Sequence, residues 1–169
     1  MAVFNPEHLI DQAELLLSPR DGRKPRQADL RRAISVCYYA VFHHVLTAAS
    51  DEFVNKALRS DQRYGLVYRS IDHRTVKGLC GEASRQNPSP KYRRFFPEGG
   101  FEQKIRDFSN IFIRLQVSRH EADYDPMAYF SSKDALVSVS LARSAINQFT
   151  TTSEESRKLF LTLLLFQPR

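Results

Sequence analysis

The stretch Arg119-His120-Glu121-Ala122-Asp123-Tyr124-Asp125-Pro126 gathers a guanidinium, an imidazole, a phenol and several carboxylates into one short segment. An arginine can neutralise charge developing on a phosphate. An imidazole can carry a proton to or from a 2′-hydroxyl or a leaving oxygen, so the pair has chemistry suited to RNA cleavage. On a helix, Arg119 and Asp123 stand four apart, as do His120 and Tyr124, so each pair can meet on one face. Arg114 precedes His120 by six positions, which turns it about 120° around the axis, and spacing alone does not give these two a shared pocket within one chain. A plainer use of the same spacing ties down a helix end through Arg119 and Asp123, leaves His120 in water and packs the Tyr124 ring on another helix.

A second pattern interleaves cations and rings: Arg85, Lys91, Tyr92, Arg93, Arg94, Phe95 and Phe96. Basic side chains can hold phosphates while an accessible ring stacks on a base, with no catalysis required. The alternative drives Phe95 and Phe96 into the core as a loop anchor and leaves the cations solvated. His43 and His44 follow Tyr38, Tyr39 and Phe42, but adjacent helical positions diverge by about 100°, and no further ligand stands at metal-binding spacing. His73, near Arg74 and Lys77, fits a solvated helix face. No metal or cofactor is assigned.

These residues belong to a chain of 169 residues with 42% hydrophobic and 26% charged residues, a composition expected of one soluble globular domain over 1–169. Its formal net charge of +6 makes phosphate-bearing partners physically attractive. Glu7, Asp11 and Glu14 interrupt the first apolar stretch, so no export signal is read, and the expected location is cytoplasmic. Cys37 and Cys80 have neither metal-ligand nor disulfide-framework spacing and are expected to be buried thiols.

Caps and periodicity predict an all-α fold, an antiparallel helical bundle with an additional terminal helix. Asn5 and Pro6 open a helix to about Ser18. Pro19, Gly22 and Pro25 then break it, beside Arg20, Arg23, Lys24 and Arg26. A long helix follows over 27–49, then one from Arg63 or Tyr64 to about Gly81. Prolines and glycines predict a structureless loop over 82–100. A further helix runs from Phe101 toward Asp123 and stops before Pro126. The next starts at Ser131, where Asp134 completes a capping box, and Thr152 with Glu155 repeats that spacing before the apolar terminal run Leu159 to Phe166. That run, within a terminal extension over 150–169, is too short to span lipid, and no membrane partner is expected. It must be covered either by its own core or by another subunit.

Two segments resemble the HEPN superfamily, in particular small bacterial HEPN-like proteins. They are Arg32-Ala33-Ile34-Ser35 with Tyr38-Tyr39-Ala40-Val41-Phe42-His43, and Arg119 with Ala122-Asp123-Tyr124-Asp125-Pro126. The likeness covers about Pro6 to Phe149. It implies a helical bundle, a homodimer with sites approaching across the interface, and metal-independent RNA cleavage by a motif arginine and His120. Arg114 fits the spacing of that motif and Arg119 fits the second segment, so both remain candidates, with Asp123 and Tyr124 supporting them. Leu115 departs from the polar residue common after the motif arginine. The resemblance further implies a cognate nucleotidyltransferase or antitoxin partner. It equally admits a non-catalytic RNA- or protein-binding module.

Overall fold

The computed structural model describes residues 4–19 and 22–168; Arg20 of the basic connection lies outside them. Among the described residues there are eight α-helices and no strand, as the periodicity predicts. In chain order they are α1 (His8–Leu17), α2 (Gln27–Val54), α3 (Gln62–Ser70), α4 (His73–Ala83), α5 (Pro90–Arg93), α6 (Gln103–Tyr124), α7 (Ser132–Thr151) and α8 (Glu154–Leu165).

Several boundaries differ from the sequence expectation for identifiable reasons. α2 continues past Ala49, with buried Ser50 donating back to Leu46 O at 2.9 Å. It stops where Asn55 adopts φ 93°, a left-handed conformation that asparagine tolerates better than most residues. The single helix expected from residue 63 or 64 to 81 is two helices. Asp61 and Asp72 cap them, accepting from Arg63 N at 2.8 Å and Thr75 N at 2.7 Å, with Ile71 extended between. The expected loop over 82–100 contains the end of α4 and the single turn α5, whose first residue Pro90 needs no amide partner. The Ser131–Asp134 capping box is present at α7. α8 is capped by Ser153, which accepts from Ser156 N at 3.2 Å. The Thr152 hydroxyl instead donates to Glu102, which also accepts from Ser153 N at 2.8 Å.

Contacts between helices fix their directions. The start of α2 meets the end of α6 through Ser35 and Asp123, so these two run antiparallel. Lys104 near the start of α6 donates to Thr151 O at the end of α7, which makes that pair antiparallel too. Glu7 and Ile10 share a groove with Ile146 and Thr150, and Arg143 reaches Glu14 at 2.9 Å, so α1 also opposes α7. α2 is the central helix of this group, packing on α1, α3, α6, α7 and α8.

One contiguous cluster of buried side chains extends from Ile10 to Leu164. By length and composition α2 could cross a membrane, but most of that apolar stretch is covered by its neighbours, as in a core helix. α8 resolves the alternative left open above: Phe160, Leu161, Leu163 and Leu164 are buried within the same chain. The terminal apolar run is therefore no argument for a subunit interface. Both cysteines are buried, and desolvation pushes each thiol up to about 12, which makes them poor nucleophiles.

Candidate functional site

α6 persists to Tyr124, so both four-residue pairs form. Arg119 Nε lies 2.8 Å from Asp123 Oδ2, an ion pair by distance whose N–H is not aimed for a hydrogen bond. Its Nη2 donates to the hydroxyl of Tyr39 at 2.7 Å and, more weakly, to that of Tyr124 at 3.3 Å. The guanidinium carbon stands 5.4 Å from the Tyr39 ring centre, 5.1 Å from that of Tyr124 and 6.0 Å from that of Tyr38, within cation–π range of all three. Burial works against its charge, but the Tyr39 hydrogen bond and the nearby Asp123 outweigh it, so the Arg119 pKa is raised. Arg119 is thus a half-buried, permanently charged group held in a frame of tyrosines.

His120 is exposed, its ring tilted against that of Tyr124 with centres 5.0 Å apart. Tyr124 does not pack into another helix as the plainer reading expects. It remains largely exposed and touches both Arg119 and His120, so the fixed cation and the accessible imidazole share one aromatic platform. Arg114 is placed elsewhere: it lines the groove between α6 and α7 with Ser118 and Glu121.

Behind Arg119 lies a layer of histidines and tyrosines, which His73 joins half-buried instead of on a solvated helix face, because Tyr38 and Phe42 draw its ring inward. His73 Nδ1 is 2.8 Å from the Tyr38 hydroxyl, and His43 Nδ1 is 2.7 Å from that of Tyr68. The His73 ring sits 3.9 Å from Phe42, centre to centre. Desolvation lowers the pKa of both histidines; each repels the other's charge or that of Arg119, and Asp72 only partly offsets this at His73. His44, beside Phe149 and Thr150, is lowered by desolvation too, against the opposing pull of Glu7 and Asp51.

These three histidines give a pH prediction whose sign follows from linkage. Their folded pKa values lie below the unfolded value of about 6.5, so the unfolded chain binds more protons as pH falls through that region. Their stabilising contribution is complete above about pH 6.5 and is lost as pH drops toward the folded values. Melting temperature should therefore fall from about pH 7.5 to about pH 5, above the range where ordinary carboxylates titrate. A flat profile across that interval would contradict the neutral packing of His43, His44 and His73.

The end of α6 is held by a polar stripe on α2. Gln27 brackets Phe130, its Nε2 donating to Phe130 O at 2.6 Å and its Oε1 accepting from Phe130 N at 3.0 Å. Arg31 donates to Ala122 O at 3.0 Å, to Asp125 O at 2.9 Å and to Ala128 O. Ser35 donates to Asp123 Oδ2 at 3.2 Å. Positions 27, 31 and 35 are four apart and so fall on one face of α2, and that spacing is the sequence signal for the clamp.

The basic loop follows the anchoring alternative only in part. Tyr92 is buried, its ring turned toward Phe96, which in turn packs on Phe101 at 4.7 Å between centres. Tyr92 is therefore an anchor and not an accessible base platform. Phe95 stays exposed under Arg94, 4.7 Å from its ring centre. Arg85 faces Glu82 at 3.4 Å, Arg93 donates to Pro88 O at 3.3 Å, and Lys91 lies over the Tyr92 ring. Among the described residues no group of three or more His, Cys, Asp or Glu side chains could hold a metal ion.

The fold and this cluster define an all-α bundle that presents an arginine and a histidine at the end of one central helix. No family model matches the chain, and no curated protein or solved structure matches it either.

Proposed function

We propose that this protein is a metal-independent endoribonuclease in which Arg119 stabilises the reacting phosphate and His120 moves the proton. The observation that carries the reading is that Arg119 and His120 border the same Tyr124 ring, one rigidly held and the other accessible. In the reaction, His120 takes the proton of the 2′-hydroxyl as its oxygen attacks phosphorus. The bond to the 5′-oxygen breaks, that oxygen takes a proton from water, and a cyclic phosphate and a 5′-hydroxyl result. Arg119 faces the charge that accumulates on the non-bridging oxygens. The HEPN resemblance supports the same assignment and extends it to a homodimer and to a cognate nucleotidyltransferase or antitoxin that covers this surface. Of the two candidate arginines, Arg119 is favoured because it shares the platform with His120, whereas Arg114 lines the α6/α7 groove.

The test is cleavage of a broad RNA panel with chelator present. His120→Ala should lower the rate by about 100-fold or more, the usual scale for a general acid or base, and Arg119→Ala by a similar factor. Arg114→Ala should retain turnover at saturating RNA. Native-rate cleavage by folded His120→Ala would reject the assignment. The second reading, a non-catalytic RNA-binding module, is favoured by the exposed cations Arg85, Lys91, Arg93 and Arg94, and it takes over if the native protein binds RNA without cleaving it.

A further inference from the structure

We propose that His73 regulates the hold of Arg119 on phosphate: its imidazole takes up a proton from solvent when a phosphate settles on the guanidinium and gives it back when the phosphate leaves. This rests on the reading of Arg119 as the phosphate-binding group and adds the means by which pH controls it. Two tyrosine rings touch both partners. The Tyr38 ring centre stands 5.6 Å from that of His73 and 6.0 Å from the guanidinium carbon of Arg119; for Tyr39 the distances are 6.0 and 5.4 Å. The same tyrosines engage the two groups by hydrogen bonds, Tyr38 at His73 Nδ1 over 2.8 Å and Tyr39 at Arg119 Nη2 over 2.7 Å. Arg119 Nη1 makes no hydrogen bond to a described residue, so the guanidinium keeps a donor for phosphate.

The charges around His73 decide its response. From α2 it faces Tyr38, Tyr39 and, beyond Tyr39, His43, which is bonded in turn to Tyr68 of α3; from α6 it faces Arg119, and at the start of its own helix Asp72. Asp72 is the one carboxylate among them. Desolvation, followed by the charge of Arg119, outweighs it and holds the His73 pKa below the usual histidine value. Although Asp123 is paired to Arg119 at 2.8 Å, the guanidinium still depresses the imidazole. The cation is therefore felt at His73, and so is an anion placed on it. A phosphate on the guanidinium sets attraction against that repulsion at a half-buried ring, where solvent screens weakly, and so favours the imidazolium. The Tyr38 contact survives the change, because its hydroxyl, kept protonated by burial, can donate to Nδ1 of the neutral ring and turn to accept from the charged one. A charge on His43 would repel one on His73, so a single proton is taken up. Linkage then sets the sign: the complex binds more protons than the free protein, and phosphate affinity rises as pH falls toward the free His73 pKa.

The experiment uses His120→Ala protein, so that RNA stays intact and His120 does not titrate. Nuclear magnetic resonance of labelled histidines follows the His73 ring through pH, its signal assigned by its absence in His73→Asn. Arg119→Gln should raise the His73 midpoint, and Arg119→Lys, which keeps the charge, should leave it low. A saturating single-stranded oligoribonucleotide, whose diester charge is constant over this range, should raise the midpoint by about one pH unit, equivalent to about 10-fold in affinity. Fluorescence anisotropy of the same oligonucleotide should accordingly show affinity rising by up to about 10-fold from pH 8 to pH 6. His73→Asn, whose amide oxygen can still accept from Tyr38, should keep the affinity found at pH 8 and lose the rise. A His73 midpoint unmoved by Arg119→Gln would overturn the proposal, as would a rise that persists in His73→Asn. An equal loss of affinity at every pH in His73→Asn would also overturn it, since the residue would then serve packing alone. A midpoint that moves with Arg119→Gln but not with bound RNA rejects both this linkage and the phosphate role of Arg119; a midpoint that moves with both, in a native protein that never cleaves RNA, rejects the catalytic reading while the linkage stands.

Discussion

Phe160→Ala should lower the free energy of unfolding by about 3–5 kcal/mol, the usual cost of emptying a buried aromatic site. The Phe160 ring is fully buried and meets Phe101, Phe108 and Phe149 edge to face, with centres 6.0, 5.7 and 5.8 Å apart. It therefore ties α8 to α6, to α7 and to the segment before α6. Set against a typical domain stability of about 5–15 kcal/mol, this one ring carries a large share. Equilibrium urea unfolding at low protein concentration is the measurement: the midpoint should move down with the slope retained. Phe166→Ala, at an exposed position on the same terminal segment, should move it far less. If α8 were held mainly by a second subunit, the midpoint would rise with protein concentration and Phe160→Ala would abolish that dependence. A concentration-independent loss is the result expected of packing within one chain.

That packing was only half legible in the sequence. The run Leu159 to Phe166 announces that it must be covered, but hydrophobicity has no direction, and the same pattern serves an interface as well as a core. What decides is the array of rings on distant segments, and linear spacing does not say that Phe101, Phe108 and Phe149 converge on one point. Helix identity was more visible because its signal is local: Ser131 with Asp134, and Pro126 after α6, mark boundaries through bonds made within a few residues. Asp61 and Asp72 carried the same information for the split between α3 and α4, which the continuous apolar spacing masked. The chemical residues show the same division. The Arg119–Asp123 and His120–Tyr124 pairs follow from the helical repeat, whereas Tyr39, Tyr38 and His73 reach Arg119 only through tertiary packing. Tyr92 illustrates the converse, since an aromatic among cations reads as accessible until the burial of its ring is known.

Arg31→Ala should cost about 2–4 kcal/mol, on the scale of losing more than one hydrogen bond from a charged donor. The reason lies in what the guanidinium satisfies. Ala122 O belongs to the last turn of α6, where carbonyls have no partner within the helix, and Asp125 O and Ala128 O lie in the loop beyond. A cation there also complements the negative end of the helix. One planar fork reaches all three oxygens while its face packs on Phe130, with the guanidinium carbon 5.6 Å from the ring centre. Lysine presents a single ammonium on a flexible stem and cannot reproduce that fork, so Arg31→Lys should recover only a minor part of the loss. Hydrogen exchange locates the effect: amides over 122–130 should exchange faster in Arg31→Ala, with those in the middle of α2 and α7 affected only through the global change. Because Ser35 and Gln27 hold the same segment, a double variant with Gln27→Ala should lose less or more than the sum of the single losses, as expected of residues acting on one element. Native-like protection over 122–130 in Arg31→Ala would mean that α6 fixes its own end, and the rigid display of Tyr124 would then need another source.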